Sequence, residues 1–169
     1  FKDANYVDIV NQLMPTLKDS KPNEYNDPML PFLKSVVYVG DNCPSGMLPW
    51  ESLEKLGESI PHSEFKAVYE SLDPHDIINM QYTSGTTGFP KGVMLTHYNI
   101  VNNGKSIGDS MKLTHDDKLC IPVPFFHCFG LVLAIMACVT HASSMVPIEY
   151  YRPTEVMKAV QDEQCTALH

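Results

Sequence analysis

Tyr82-Thr83-Ser84-Gly85-Thr86-Thr87-Gly88-Phe89-Pro90-Lys91-Gly92 decides how the rest of the chain is read. It directly follows Ile77 to Tyr82, a β-prone run that predicts a strand. Thr83, Ser84, Thr86 and Thr87 offer four hydroxyl donors. Gly85 and Gly88 permit positive φ and let backbone N–H groups converge on anionic oxygens with no Cβ in the way. Lys91 adds one positive charge at the end of the loop, and Pro90 stiffens its exit. The composition is that of a cradle for a polyphosphate. It is not the common nucleotide P-loop, which needs Gly before Lys and Ser or Thr after it, because Pro90 precedes Lys91 and Gly92 follows. A flexible Ser/Thr/Gly loop is the alternative. The preceding strand and the Pro-Lys-Gly exit argue against it.

Working outward, strands and helices alternate. Downstream, Val93 to Leu95 is a short strand, and Thr96 is placed to cap a helix with Asn99 reaching back to it. Ile100, Gly104, Ile107 and Met111 form that helix's inner face. Lys118 to Val123 reads as a strand, Phe129 to Val139 as a helix and Ser143 to Val146 as a strand. Pro153 suits the first turn of a helix reaching about Glu163, and Thr166 to Leu168 begins another strand. Upstream, Tyr6, Ile9, Val10, Leu13, Met14 and Leu17 fall at helical spacing, ended or kinked by Pro15. Lys21 to Pro31 is a connection, Val36 to Val39 a buried strand, and Asp41 to Pro49 a loop. Two short helices, Trp50 to Ile60 and Ser63 to Leu72, part at Pro61. The pattern predicts an α/β fold with largely parallel pairing.

Composition narrows the function. The 169 residues are about one domain's worth, and 44% hydrophobic content argues against disorder. Twelve Lys plus Arg against 20 Asp plus Glu give a net charge of −8, and Arg152 is the only arginine. A general nucleic-acid binder needs a basic face, so that class is disfavoured, while a local anion site is allowed. Five cysteines, at 43, 120, 128, 138 and 165, form no C-x-x-C pair, so reduced thiols in a cytoplasmic protein are expected. Cys128 and Cys138 lie in apolar surroundings and read as small core residues. Leu119 to Ile148 carries no Asp, Glu, Lys or Arg, but Pro122, Pro124 and Pro147 interrupt it. Its unbroken part, Phe129 to Val139, falls short of the roughly 20 residues a membrane span needs, so a core helix is expected there. Residue 1 is Phe and the chain stops in the apolar Thr166-Ala167-Leu168-His169, which reads as an interior piece of a longer protein.

Residues 82–92 resemble, at every position, the phosphate-binding loop of the adenylate-forming (AMP-binding) enzymes: acyl-CoA synthetases, peptide-synthetase adenylation domains and luciferases. Asp76 to Gln81 and Gly92 to Asn99 resemble the flanks of that loop in the acyl-CoA synthetases. Pro124-Phe125-Phe126-His127-Cys128-Phe129-Gly130 resembles the next family motif. The wording of Thr96 to Asn103, with Phe126-His127-Cys128, is most similar to medium-chain fatty acyl-CoA synthetases. The resemblance implies part of the family's large N-terminal domain, mixed or parallel sheets flanked by helices, with residues 1–75 a weaker-matching lead-in and 76–169 the phosphate-loop and acyl-pocket portion.

The resemblance also implies a reaction. A carboxylic acid, here a fatty acid, attacks ATP to give an acyl-adenylate and pyrophosphate, and coenzyme A then takes the acyl group. Thr83, Ser84, Gly85, Thr86, Thr87, Gly88 and Lys91 become the nucleotide-binding residues. His127 becomes the candidate catalytic residue, beside the carboxylate or gating the thiol, against the plain reading of a satisfied core histidine. Of the neighbouring rings, Phe125 leans towards core, while Phe126 and Phe129 are pocket wall or core. Magnesium is expected on the phosphates with no ligand assigned in this chain. The family's adenine, ribose and hinge motifs and its catalytic lysine are absent, so the fragment alone is expected to be inactive. An amino-acid or aryl-acid adenylating domain, or a non-catalytic phosphate-binding module, are the alternatives. Gly104-Lys105-Ser106-Ile107-Gly108 fits the hydrolase elbow G-x-S-x-G but falls inside a helical pattern, so it reads as coincidence.

Overall fold

The structure, a computed structural model, describes residues 5–85 and 88–169. They form two compact units, one ending at Glu70 and one running Ser71–His169.

In the first unit, helix α1 (Tyr6–Leu13) starts where the Asn5 side chain accepts from the amides of Val7 and Asp8, and it stops just before Pro15. Met14, Leu17, Tyr25 and Met47 form a small core, with the Tyr25 hydroxyl donating to the Gly46 carbonyl. Strand β1 (Val37–Tyr38) pairs in parallel with β2 (Leu48–Pro49), which falls within the expected loop Asp41 to Pro49. β1 is not the buried strand expected, since Val37 and Val39 are exposed. Helices α2 (Ser52–Glu58) and α3 (His62–Ser71) part at Pro61 as expected.

The second unit carries the motifs. Strand β3 (Ile77–Thr83) and β4 (Lys91–Thr96) make an antiparallel hairpin across the Ser/Thr/Gly loop. Parallel pairing therefore does not hold throughout: a loop this short cannot carry a parallel crossover, which needs a dozen or more residues. β4 runs straight into α4 (His97–Met111) through a capping box. The Thr96 hydroxyl accepts from Asn99 N at 3.2 Å, and Asn99 Oδ1 accepts from Thr96 N at 3.1 Å. The G-x-S-x-G match lies within α4, so it has no strand-to-helix turn.

After α4 comes a three-stranded parallel sheet in the order β6-β5-β7: β5 (Lys118–Ile121), β6 (Ser144–Pro147) and β7 (Ala167–Leu168). The expected helix after β5 is two helices joined end to end. Phe129–Met136 is a π-helix and Ala137–His141 is α5. Helix α6 (Pro153–Asp162) has its proline at the N-terminus and connects β6 to β7. Leu119 and Ile121 of β5 pack against Ala134 and Cys138 of the helix pair, with Met111, Val123 and Ala167 at the edge. Helix α4 lies on the same helix pair through two glycines. A Cβ at Gly104 would stand 2.5 Å from Met136 Cβ, and one at Gly108 would enter the His141 ring. His141 fills that space and its Nε2 meets Asp109 Oδ1 at 3.1 Å.

Candidate functional site

Thr83 and Lys91 are directly paired at the loop end of the β3–β4 hairpin. Residues opposite one another on antiparallel strands share a face, with Cβ atoms about 4.5–5.5 Å apart. The hairpin thus sets the only lysine of the loop beside its first threonine. Thr83, Ser84 and Lys91 are exposed, and among the described residues neither hydroxyl nor the ammonium has a hydrogen-bond partner. Gly85 has φ +63° and Gly88 φ +89°, the region in which side chains are strained. A Cβ on Gly85 would strike the Phe89 carbonyl, whereas the space beside Gly88 is open. The exposed Thr83 and Ser84 hydroxyls, an ammonium and backbone turned through positive φ form a donor set with no acidic group in the loop, which fits a polyphosphate. Thr86 and Thr87 lie outside the described residues.

His127 comes from the second motif. Strand order β6-β5-β7 means the chain leaves central strand β5 for one side and returns by α6 to the other. In open α/β sheets, ligands bind at the carboxyl ends of strands at such a reversal. Residues 122–128, which carry His127, leave β5 at that end. Gly130 lets the turn form: a Cβ there would lie 3.0 Å from Phe125 Cα and collide with the Pro124 carbonyl. His127 N donates to Pro124 O at 3.2 Å, and the Phe129 amide donates to His127 Nδ1 at 3.1 Å. An Nδ1 that accepts leaves the neutral ring's proton on Nε2, which then points a donor away from the backbone.

His127 is exposed and is not a core histidine. Cys128 is also exposed, with Sγ 3.8 Å from His127 Nδ1, so its expected core placement is overturned; the turn carries it outside the helix that buries its apolar neighbours. Phe125 is 42% exposed and Phe126 71%, so Phe125 is not core either. Phe129 is half-buried and meets the His169 ring edge-on at 5.1 Å, while His169 Nε2 lies 2.8 Å from the Leu133 carbonyl. Neither the Gly130 contact nor the His169 contact had a signal in the sequence beyond the motif spacing itself. Cys138 is buried as expected, and burial raises its thiol pKa. A cleft of about 630 Å³ between β6 and α6, lined by residues including Arg152, Glu155 and Lys158, shares no residue with the loop or with the His127 turn.

Comparison with characterised proteins identifies the family that carries these two segments. The AMP-binding enzyme family matches residues 16–169. The chain belongs to that family. It is 48% identical over 169 residues to "Putative acyl-CoA synthetase YngI" of Bacillus subtilis, covering all of this chain and 31% of that relative. It is 32% identical over 177 residues to the mitochondrial medium-chain acyl-CoA ligase ACSF2 of Homo sapiens, covering all of this chain and 28% of that relative. Among solved structures, ATP-bound MatB from Rhodopseudomonas palustris is similar with a TM-score of 0.52 at 31% identity, over 57% of this chain and 19% of that one. The chain thus spans under a third of the length of these relatives. No helix among the described residues is long and apolar enough to cross a membrane.

Proposed function

We propose that this chain is the phosphate-loop and acyl-pocket portion, residues 76–169, with its lead-in, residues 1–75, of an ATP-dependent acid–coenzyme A ligase. The observation that carries the reading is the juxtaposition of Thr83, Ser84, Gly85 and Lys91 at the loop end of one hairpin, with no side-chain partner for Thr83, Ser84 or Lys91 among the described residues. In the first half-reaction a carboxylate oxygen attacks the α-phosphorus of ATP and pyrophosphate leaves. Negative charge gathers on that leaving group, and fixed donors aimed at it lower the barrier. The hydroxyls of Thr83, Ser84, Thr86 and Thr87, with the loop amides at Gly85 and Gly88, hold the β- and γ-phosphates. The Lys91 ammonium supplies charge without a proton transfer. Bound with the nucleotide, magnesium would supply charge neutralisation at the phosphates, and no ligand for it is assigned in this chain.

His127 acts on the other side of the reacting centre. Its Nε2–H, aimed outward by the Phe129 amide on Nδ1, is a donor for a carboxylate oxygen. In the second half-reaction the coenzyme A sulfur attacks the acyl carbon, the bond to the adenylate breaks and AMP leaves. A fatty acid of medium length is the substrate favoured by the 32% identity to a medium-chain ligase. The five thiols, none in a disulfide, suit a reducing compartment such as the cytoplasm.

The test is carboxylate-dependent ATP–pyrophosphate exchange by the full-length parent protein with fatty, aromatic and amino acids. Exchange with medium-chain fatty acids is expected. Exchange with amino or aryl acids alone would keep adenylation and discard the substrate. No exchange by a folded protein would overturn the proposal.

A further inference from the structure

His169 stands at the carboxyl end of β7, where its amide donates to the Cys120 carbonyl at 3.3 Å and carries the ladder with β5 one residue further. Its side chain crosses to the π-helix, Phe129–Met136. Every residue of that helix is apolar, so none of its own side chains carries a hydrogen-bonding nitrogen or oxygen with which to fix it to the sheet. His169 supplies a polar tie from outside. Its Nε2 lies 2.8 Å from the Leu133 carbonyl. A carbonyl only accepts, so that nitrogen carries the ring proton and donates it. The same ring meets Phe129 edge-on, with centroids 5.1 Å apart and planes at 75°, a favourable geometry for an aromatic pair. One side chain at the sheet's end therefore grips the helix at two points four residues apart. The gripped segment is also the one that aims His127. The Leu131 amide donates to the His127 carbonyl at 2.9 Å, and the Phe129 amide donates to His127 Nδ1 at 3.1 Å. With its Nδ1 tied to the first turn, the imidazole points its Nε2–H wherever that turn directs it. π-Helices are rare and recur at functional sites, where they set the direction of a side chain or a turn.

We propose that His169 is a positioning residue that sets the orientation of His127. It touches no reacting atom. It acts through the Phe129 ring and the Leu133 carbonyl on the turn that carries the His127 imidazole. Its part in the reaction rests on the reading of His127 as the donor to the substrate carboxylate. Without His169 the turn still forms, because the close approach at Gly130 and the Leu131 bond do not need it. The Phe129 end of the turn is then free to shift, and the His127 ring shifts with it. A hydrogen bond weakens steeply as its donor angle falls towards about 120°, so a misdirected Nε2–H holds a carboxylate poorly. The phosphate donors sit on the β3–β4 hairpin and make no use of His169. The loss should therefore fall on the acid and spare the nucleotide. A histidine that only finished the end of the sheet would affect both, and would do so whether or not His127 were present.

The experiment is a double-mutant cycle on the full-length parent protein, with His169→Ala and His127→Ala made singly and together and read by carboxylate-dependent ATP–pyrophosphate exchange. Loss of the tie should raise the KM for the acid by about three- to tenfold in His169→Ala, with the KM for ATP within about twofold of wild type. In the His127→Ala background the same substitution should add nothing. His169→Gln keeps a donor for Leu133 but gives up the ring contact, so its rise should be intermediate, and it takes the place of His169→Ala in the cycle should that variant not fold. An equal rise in both backgrounds, an equal rise for acid and ATP, or no rise at all would overturn the proposal. The 15N resonances of the neutral His127 ring, recorded without substrate, give a readout that does not depend on turnover. Wild type should show the tautomer protonated on Nε2 with Nδ1 accepting, and His169→Ala a mixture of the two. A parent protein that exchanges with no acid would overturn the reading of His127 as the acid donor, and the ring spectra would still decide whether His169 orients it: identical spectra in wild type and His169→Ala would refute that.

Discussion

Replacing Gly104 by alanine tests how α4 is seated against the helix that follows β5. The added methyl would stand 2.5 Å from Met136 Cβ, 3.0 Å from its carbonyl carbon and 3.2 Å from its oxygen. Carbon atoms rest about 3.5–4.0 Å apart, so the two helices must separate by on the order of 1 Å. None of the three atoms can swing away by a rotamer change, because all are fixed to the backbone. Overpacking of this kind costs about 1–3 kcal/mol, and the rigid neighbours place it in the upper part of that range. Alanine recovers about 1 kcal/mol of helix propensity. The net loss is about 1–2 kcal/mol. The shift is about 2–4 °C per kcal/mol for a domain of 150–250 residues and smaller for a larger cooperative unit, so Tm of the parent protein should fall by at most roughly 2–8 °C. The assay is thermal unfolding of the parent protein at one fixed scan rate. Ser106→Ala, on the exposed side of α4, gains propensity without a clash and should leave Tm unchanged or slightly raised. If Gly104→Ala tracked Ser106→Ala upward, the close approach of α4 to Met136 would be refuted.

The remaining predictions concern a cap, a carboxylate and an imidazole. Thr96→Ala removes one half of the α4 capping box and should destabilise the protein by about 1 kcal/mol in urea titration, with Thr96→Ser close to wild type. Asp117 accepts from Thr166 Oγ1 at 2.7 Å, from Thr114 Oγ1 at 2.9 Å and from Thr114 N at 2.7 Å. These bonds, that of Thr166 first, hold its carboxyl below the ordinary carboxylate range. Its folded pKa being depressed, its contribution is present above the unfolded value of about 3.9 and is lost as pH falls through the folded one. The stability gap between wild type and Asp117→Asn should therefore be constant from neutral pH to about pH 5 and close below pH 4. His127→Ala should raise the KM for the acid by at least about tenfold while leaving the KM for ATP within about twofold, as expected when one charge-assisted hydrogen bond to the carboxylate is lost. Equal loss for both substrates would remove His127 from the acid site.

What was legible in the sequence follows from how local the cause is. The α4 cap needs only Thr96 and Asn99, and the start of α6 needs only Pro153 after Arg152, so both were readable. The loop donors at 83–91 were readable because hydroxyls, glycines and a lysine have few other reasons to cluster behind a strand. Strand pairing was harder. Nothing in the residues of β4 says that it turns back antiparallel on β3; loop length says it, and the strand begins at Lys91, two residues before the β-prone run at Val93. The π-helix was invisible because Phe129–Met136 is apolar on every side, leaving no periodicity to separate one helical pitch from another. Cys128 and Phe125 were misplaced for a related reason. Apolar neighbours in sequence imply burial only when they share a face, and the turn closed over Gly130 puts these two outside. The fixed approach of Gly104 to Met136 joins elements distant in sequence and required the structure.

The central claim is that the hairpin loop holds the departing phosphates and not the rest of the nucleotide. The direct measurement is titration of full-length parent protein, and of its Ser84→Ala and Lys91→Ala variants, with ATP and with a non-hydrolysable acyl-adenylate analogue. Loss of a charged contact to a phosphate should weaken ATP binding by about 1.5–3 kcal/mol for Lys91→Ala and somewhat less for Ser84→Ala. The analogue lacks the β- and γ-phosphates, so its affinity should stay at the wild-type value in both variants. Equal weakening of both ligands, or of neither, would contradict the account.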